Sequence, residues 1–238
     1  MQSRGPDVRA TPAGSVVPPA SEAELMARAM GLVGRSIAAL AADVGEGPLG
    51  SNLHAKGKAG TILERALGTT AGNASEPDFV ELGIELKTIP VSESGKPHES
   101  TFVCSFSVAE AESAEWEDSP ARAKLACVLW VPVIGEKRGS IGERRVGTPV
   151  LWRPTAEQEA ILRGDFEDIA GTIGAGSIEA VSAHVGRWLQ LRPKARDGAE
   201  RTIAYGGENE AIATMPRGFY LRARFTEAIL RDSAALPE

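Results

Sequence analysis

Three side chains in the first half of the chain have the types and spacing to hydrolyse a phosphodiester. Glu85 and Lys87 stand two residues apart, and Asp78 lies seven residues before Glu85. Paired carboxylates offer the hard oxygen ligands that Mg²⁺ takes while it keeps several waters and binds a substrate phosphate. A lysine beside them can orient or deprotonate an attacking water and offset the charge that develops in the transition state. The same Glu-x-Lys also suits a solvated ion pair on the outer face of a sheet. Spacing alone does not choose between the two.

The element that must position the pair is a strand. Val80, Leu82, Ile84 and Leu86 alternate with Glu81, Gly83, Glu85 and Lys87, so the apolar set is expected to bury and Glu85 and Lys87 to share the opposite, polar face. Along such a strand they would be roughly 6.6 Å apart. Pro90 ends the run, and residues 93–97 read as a turn. Phe102, Cys104, Phe106 and Val108 form a second alternating strand, and an antiparallel pairing of the two is expected.

Around these strands, Ser21-x-x-Glu24 has the capping-box form, and apolar spacing predicts a helix or helix pair from there to about Val44. A short helix over 59–67 would carry Glu64. Further on, the pattern predicts an acidic loop over 110–118, a helical turn over 121–126 and a buried strand over 127–133. A second capping box, Thr155 to Gln158, opens a helix to about residue 173, with another helix expected over 177–185. Strand-like runs at 188–191 and 218–221 precede a last helix over 226–236. Strands and helices mix without regular βαβ alternation. The expected fold class is therefore α/β (mixed α+β), a mixed central sheet flanked by helices.

The chain has 238 residues, 42% hydrophobic and 24% charged, an ordinary globular composition able to bury a sizeable core. Residues 1–20 carry four prolines and few large apolar side chains, and read as a disordered tail. A single domain over 21–235 is expected, built of two sub-lobes over about 21–150 and about 151–235. The net charge of −6 argues against coating nucleic acid by bulk charge. Charge is uneven, however: residues 187–201 and 217–231 hold nine Lys/Arg against three acids, leaving 17 against 29 elsewhere. A basic arm on an acidic body is a local nucleic-acid footprint. Cys104 and Cys127 sit in apolar runs without knuckle spacing, as buried thiols of a reducing cytosol would. No signal peptide precedes the domain, and the longest apolar run is about half a membrane span, so a cytoplasmic protein is expected. His54, His98 and His184 pair with no nucleophile, the four tryptophans read as core, and Gly57-Lys58 is followed by Ala59 rather than the Ser or Thr of a phosphate-binding loop.

The longer runs carry more information than any one motif. Glu64, Asp78-Phe79 and Gly83-Ile84-Glu85-Leu86-Lys87-Thr88-Ile89-Pro90 closely resemble the MutH family of DNA mismatch-repair endonucleases. The resemblance continues through Thr101-Phe102-Val103-Cys104, Leu129-Trp130-Val131-Pro132-Val133, Arg144-Arg145-Val146-Gly147 and Leu151-Trp152. It returns at residues 189–195 and 216–221, in the family's order, over about residues 22–235.

The resemblance implies the restriction-endonuclease fold, with its Asp…Glu-x-Lys site on a hairpin and a C-terminal DNA-reading arm. It implies that Asp78 and Glu85 ligate Mg²⁺, that Lys87 is the catalytic lysine and that Glu64 completes the acidic cluster. Lys56, beside Gly57, matches a family lysine near the site and the DNA backbone, and Lys124 falls where the family also keeps a lysine. Base recognition is implied at Arg192, Pro193 and Lys194, and adenine or methyl discrimination near Tyr220. The implied activity is Mg²⁺-dependent nicking of the unmethylated strand at hemimethylated GATC in double-stranded DNA, leaving a 5′-phosphate. The implied enzyme acts as a monomer, stimulated by MutL and indirectly by MutS. The rivals are a type II restriction endonuclease recognising GATC and a non-catalytic module that binds DNA and senses methylation. The chain departs from the family at Lys58-Ala59, where the family often has an aromatic residue, and follows it poorly over 196–210.

Overall fold

The computed structural model describes residues 16–49, 57–71, 76–181, 184–194, 200–208 and 210–236. Six helices lie among them: α1 (Glu22–Gly31), α2 (Ile37–Asp43), α3 (Lys58–Leu67), α4 (Pro120–Leu125), α5 (Ala156–Gly174) and α6 (Ala223–Arg231). The strands are β1 (Glu85–Val91), β2 (Thr101–Phe106), β3 (Val128–Ile134), β4 (Arg145–Val146), β5 (Val150–Trp152), β6 (Leu189–Pro193), β7 (Thr202–Tyr205), β8 (Ala211–Thr214) and β9 (Arg217–Leu221).

Two sheets carry the site. In the first, β1 runs parallel to β3 from Glu85↔Val128 to Val91↔Ile134, and β3 pairs antiparallel with β4 and β5. In the second, β9 is the centre, antiparallel to β2 on one side and to β6 on the other. β7 and β8 form a separate hairpin.

Side chains on a strand alternate between faces, so the β1–β3 layer feeds two cores. Leu86, Leu129, Val131 and Val133 point to one, where Leu25, Ile37, Leu40, Ile62 and Leu63 of α1–α3 cover them. Ile89, Val91, Val128 and Trp130 point to the other, with Leu162, Phe166 and Ile169 of α5, Leu191 of β6, Phe219 of β9 and Phe225 of α6. Each of these fully buried side chains contributes roughly 1.5–3 kcal/mol.

Helix signals in the sequence hold where caps are strong. The 155–158 capping box is complete: Thr155 Oγ1 accepts the Gln158 N–H and Gln158 Oε1 accepts the Thr155 N–H. Gln158 is itself buried, and its amide donates to the Ser233 and Ala235 carbonyls, tying the C-terminus to α5. Ser21 caps α1 by accepting the Glu24 N–H, while the Glu24 carboxylate turns to Ala20 and Arg28 rather than to Ser21.

Five expectations need correction. β1 pairs with β3 and not with β2; a parallel neighbour needs no turn beside it, so no local signal could announce it. The strand starts at Glu85, because Val80–Leu82 is a 3₁₀ turn in which Val80 is exposed. Glu85 is buried rather than on an open polar face, because a strand in a parallel pair is covered on both sides. Over 177–185 the described residues hold only the 3₁₀ turn Ile178–Ala180. The tail expected over 1–20 is ordered at its end: Pro19 is buried and the Val17 carbonyl accepts from Arg28, whereas residues 1–15 lie outside the described residues.

Candidate active site

A tight reversal builds the acidic centre. Phe79 and Ile84 exchange backbone hydrogen bonds across the Val80–Leu82 turn, and Gly83 closes it at φ +64°, a conformation glycine adopts without strain. The reversal brings Asp78 back alongside β1, where its Oδ2 accepts the Leu86 N–H at 2.8 Å. Asp78 and Glu85 become neighbours because of this turn, and not through a regular strand.

Glu85 is held by two lysines. Its Oε1 accepts from Lys87 Nζ at 2.6 Å and its Oε2 from Lys124 Nζ at 2.8 Å. Lys124, expected among the DNA contacts, is buried on α4 and also donates to the Glu76 carbonyl. Glu64 reaches the same cavity from α3. That cavity, of about 440 Å³, is lined by Glu64, Asp78, Glu85, Lys87, Lys124 and Lys194 among others.

Electrostatics mark the cluster. Burial, reinforced by the charges of Asp78 and Glu85, raises the proton affinity of Glu64 above the usual carboxylate range. Burial and the Glu85 charge do the same to Asp78, against the opposing Leu86 N–H bond. Among the described residues, no group of three or more His, Cys, Asp or Glu side chains is arranged to hold a metal ion by itself. A hard divalent cation that keeps most of its waters needs only one or two carboxylates, and a half-buried Asp78 whose proton affinity is raised by burial and by the Glu85 charge belongs to a donor set that such a cation would relieve. Asp78 and Glu85 fit that mode of binding.

Arg192 of β6 and Lys194, just past its end, open onto the same space. A groove of about 970 Å³ is lined by Gly57, Glu64 and Lys87 together with Arg192, Pro193, Lys194 and Tyr220. Lys194 also lines the acidic cavity and so joins the two. β6 is held in place from α5: Asp165 accepts the N–H groups of Arg187, Trp188 and Leu189 at 2.6, 2.7 and 2.7 Å.

Phe102 is the residue the sequence reading missed. Lys194 Nζ lies 3.6 Å from its ring centroid, Tyr220 packs against it edge-on at 5.3 Å, and the Arg192 guanidinium lies 5.6 Å from the Tyr220 ring. A bulge between Phe102 and Cys104 shifts the β2–β9 register there and re-aims the side chains. Gly218 leaves the room, since a Cβ on it would fall 2.8 Å from the Phe102 ring. Phe102 read as one member of an alternating apolar strand, and only its aromatic type set it apart.

Other basic residues of the arm serve the fold. Arg222 donates to the Val185 and Gly186 carbonyls, Arg224 donates to the Arg187 carbonyl, and Arg231 pairs with Glu227. Lys56 lies outside the described residues, while Gly57 is at the N-terminus of α3 with φ +91°.

Fold and site together define a DNA endonuclease on a restriction-endonuclease-like core. The family model for DNA mismatch repair enzyme MutH matches residues 67–165. The chain is 45% identical to the DNA mismatch repair protein MutH of Pectobacterium atrosepticum over 221 residues, 92% of this chain and 95% of that protein. It is 45% identical to the Shewanella amazonensis MutH over 218 residues (91% and 97%) and 46% identical to that of Vibrio parahaemolyticus over 212 (89% and 94%). The chain belongs to the MutH family, the mismatch-repair endonucleases. No helix among the described residues is long and apolar enough to cross a membrane.

Proposed function

We propose that this protein nicks the unmethylated strand of double-stranded DNA at hemimethylated GATC sites, depends on Mg²⁺, leaves a 5′-phosphate and is stimulated by MutL, with MutS acting upstream. The observation that carries this reading is the continuity between the acidic cavity and the groove lined by Arg192, Pro193, Lys194 and Tyr220.

Asp78 and Glu85 would hold the Mg²⁺, which when bound supplies Lewis-acid polarisation of the phosphate and a more acidic water. Lys87, fixed by Glu85 Oε1, directs its ammonium at the developing negative charge and orients the attacking water. Lys124 donates to the other Glu85 oxygen and so fixes that carboxylate beside Asp78. Glu64 closes the acidic side of the cavity from α3. Arg192 and Lys194 offer donors to guanine O6 and N7, and Tyr220 with Pro193 presents an edge able to sense the substituent on adenine N6. One such acidic cluster among the described residues would make one nick per site, as a monomer would.

The test is a strand-resolved nicking assay on unmethylated, hemimethylated and fully methylated GATC duplexes with Mg²⁺, with and without MutL and ATP. Nicks confined to the unmethylated strand, absent from fully methylated DNA and increased by MutL, are expected. Cutting of both strands independently of MutL would instead make it a restriction enzyme.

A further inference from the structure

A cation on the wall of the groove has no part in the site described above. Arg144 directly precedes β4 in the first sheet, and it lines the groove whose second-sheet side carries Arg192 and Lys194. Its position is fixed from three directions. Its carbonyl accepts the Ile37 N–H at the start of α2, at 2.9 Å. Its stem packs over Gly135, where a Cβ would fall 2.7 Å from Arg144 Cγ. Its Nη2 donates to the Glu136 and Lys137 carbonyls at 3.1 and 3.2 Å.

Those contacts orient the guanidinium without neutralising it. Among the described residues no carboxylate pairs with Arg144, its Nη1 donates to none, and its Nε is buried without a hydrogen-bond partner. With Nε sealed and Nη2 committed to two carbonyls, Nη1 is the donor left for a ligand in the groove. A guanidinium is the group best shaped to take a phosphate diester, with several N–H donors in one plane.

We infer that Arg144 binds a phosphate of the DNA backbone from the first-sheet side of the groove, so that the duplex is gripped between this residue and the base-reading strand β6. The inference rests on the groove being the seat of the duplex. A backbone contact positions DNA without reading its sequence. Arg144 therefore acts on affinity and register, and Arg192 and Lys194 on choice of site.

The experiment compares the parent with Arg144→Gln and Arg144→Lys. Binding to a GATC duplex and to a scrambled duplex is measured by fluorescence anisotropy, without divalent metal, over a range of salt concentrations. Arg144→Gln is expected to bind both duplexes about tenfold more weakly and to lower the slope of log affinity against log salt by about one. Its preference for GATC should stay that of the parent. Arg144→Lys keeps the charge, and should keep the slope while losing affinity equally on both duplexes. Its binding carries the test if the glutamine protein fails to fold. Parent-like affinity and slope in either soluble variant would overturn the inference, as would a loss confined to the GATC duplex. A parent protein that binds neither duplex would overturn the groove reading itself, and this inference with it.

Discussion

At the scale of single residues, the cluster around Glu85 combines charges that would repel and charges that hold them together. Asp78, like Glu64, is a member whose ionisation the fold resists. A carboxyl with raised proton affinity stabilises the folded state below its ordinary value of 3.8 and loses that contribution as the pH rises through the folded value. Asp78→Asn should therefore match or exceed the parent's thermal midpoint at neutral pH in metal-free buffer, while nicking falls by at least about 10²-fold. A lower midpoint at neutral pH would show that the Leu86 N–H bond outweighs the repulsion. Cys104 offers a second check on burial. Its thiol is pushed up to about 11, burial being the main cause. Since only the thiolate is nucleophilic, native Cys104 should alkylate at pH 8 at least about 10²-fold more slowly than in the unfolded chain. Its rate, followed by peptide mass, should keep climbing beyond pH 9; a plateau there would contradict the burial.

At the scale of elements, the types and spacing of Glu85 and Lys87 were legible, and so were the capped helices. The pairing of the strands was not. β1 finds its partner in β3 after a connection that carries β2 and α4, and nothing near residues 92–100 distinguishes that outcome from a hairpin. The Val80–Leu82 turn hides inside an alternating run because its apolar residues fall in step with the strand that follows. Strand β7 lies within the 196–210 stretch that resembles the family poorly, and short alanine-containing strands such as β7 and β8 have little period-two contrast. The groove was legible only in pieces, since Glu64, Lys87 and Arg192 come from α3, β1 and β6. Among the element contacts, the clamp from Asp165 on α5 to the start of β6 makes the sharpest prediction. Asp165→Ala leaves three backbone N–H groups without their acceptor, at a cost of about 3 kcal/mol in stability. It should also relax preference for GATC more than Glu227→Ala, which removes only an exposed helix pair. The measurements are denaturant unfolding and competition with scrambled duplex. Equal preference in the two variants would show that β6 keeps its place without α5.

At the scale of the molecule, two hydrophobic cores share one pair of strands. Leu129 and Val131 belong to the core under α1–α3, and Val128 and Trp130, their neighbours in β3, to the core under α5. Neither can come apart without exposing a face of β3, so the described fold should unfold in one step even though two sub-lobes were expected. Leu63→Ala in one core and Phe219→Ala in the other should each cost about 3–5 kcal/mol and lower the same single calorimetric transition. Two resolved transitions in either variant would mean that the cores are independent.

The β2–β9 pairing sets a limit on how this protein can be re-engineered. Phe102 stands between Tyr220 and Lys194 on a strand that comes from the middle of the chain, while its two neighbours come from the end. If the groove reads DNA as proposed, grafting residues 187–222 of a relative with another target sequence would move only part of its wall. A working chimera would have to bring residues 101–106 with it, and the bulge that aims them. The groove wall is not a detachable module, because its parts are woven through the β2–β9–β6 strand order of one sheet.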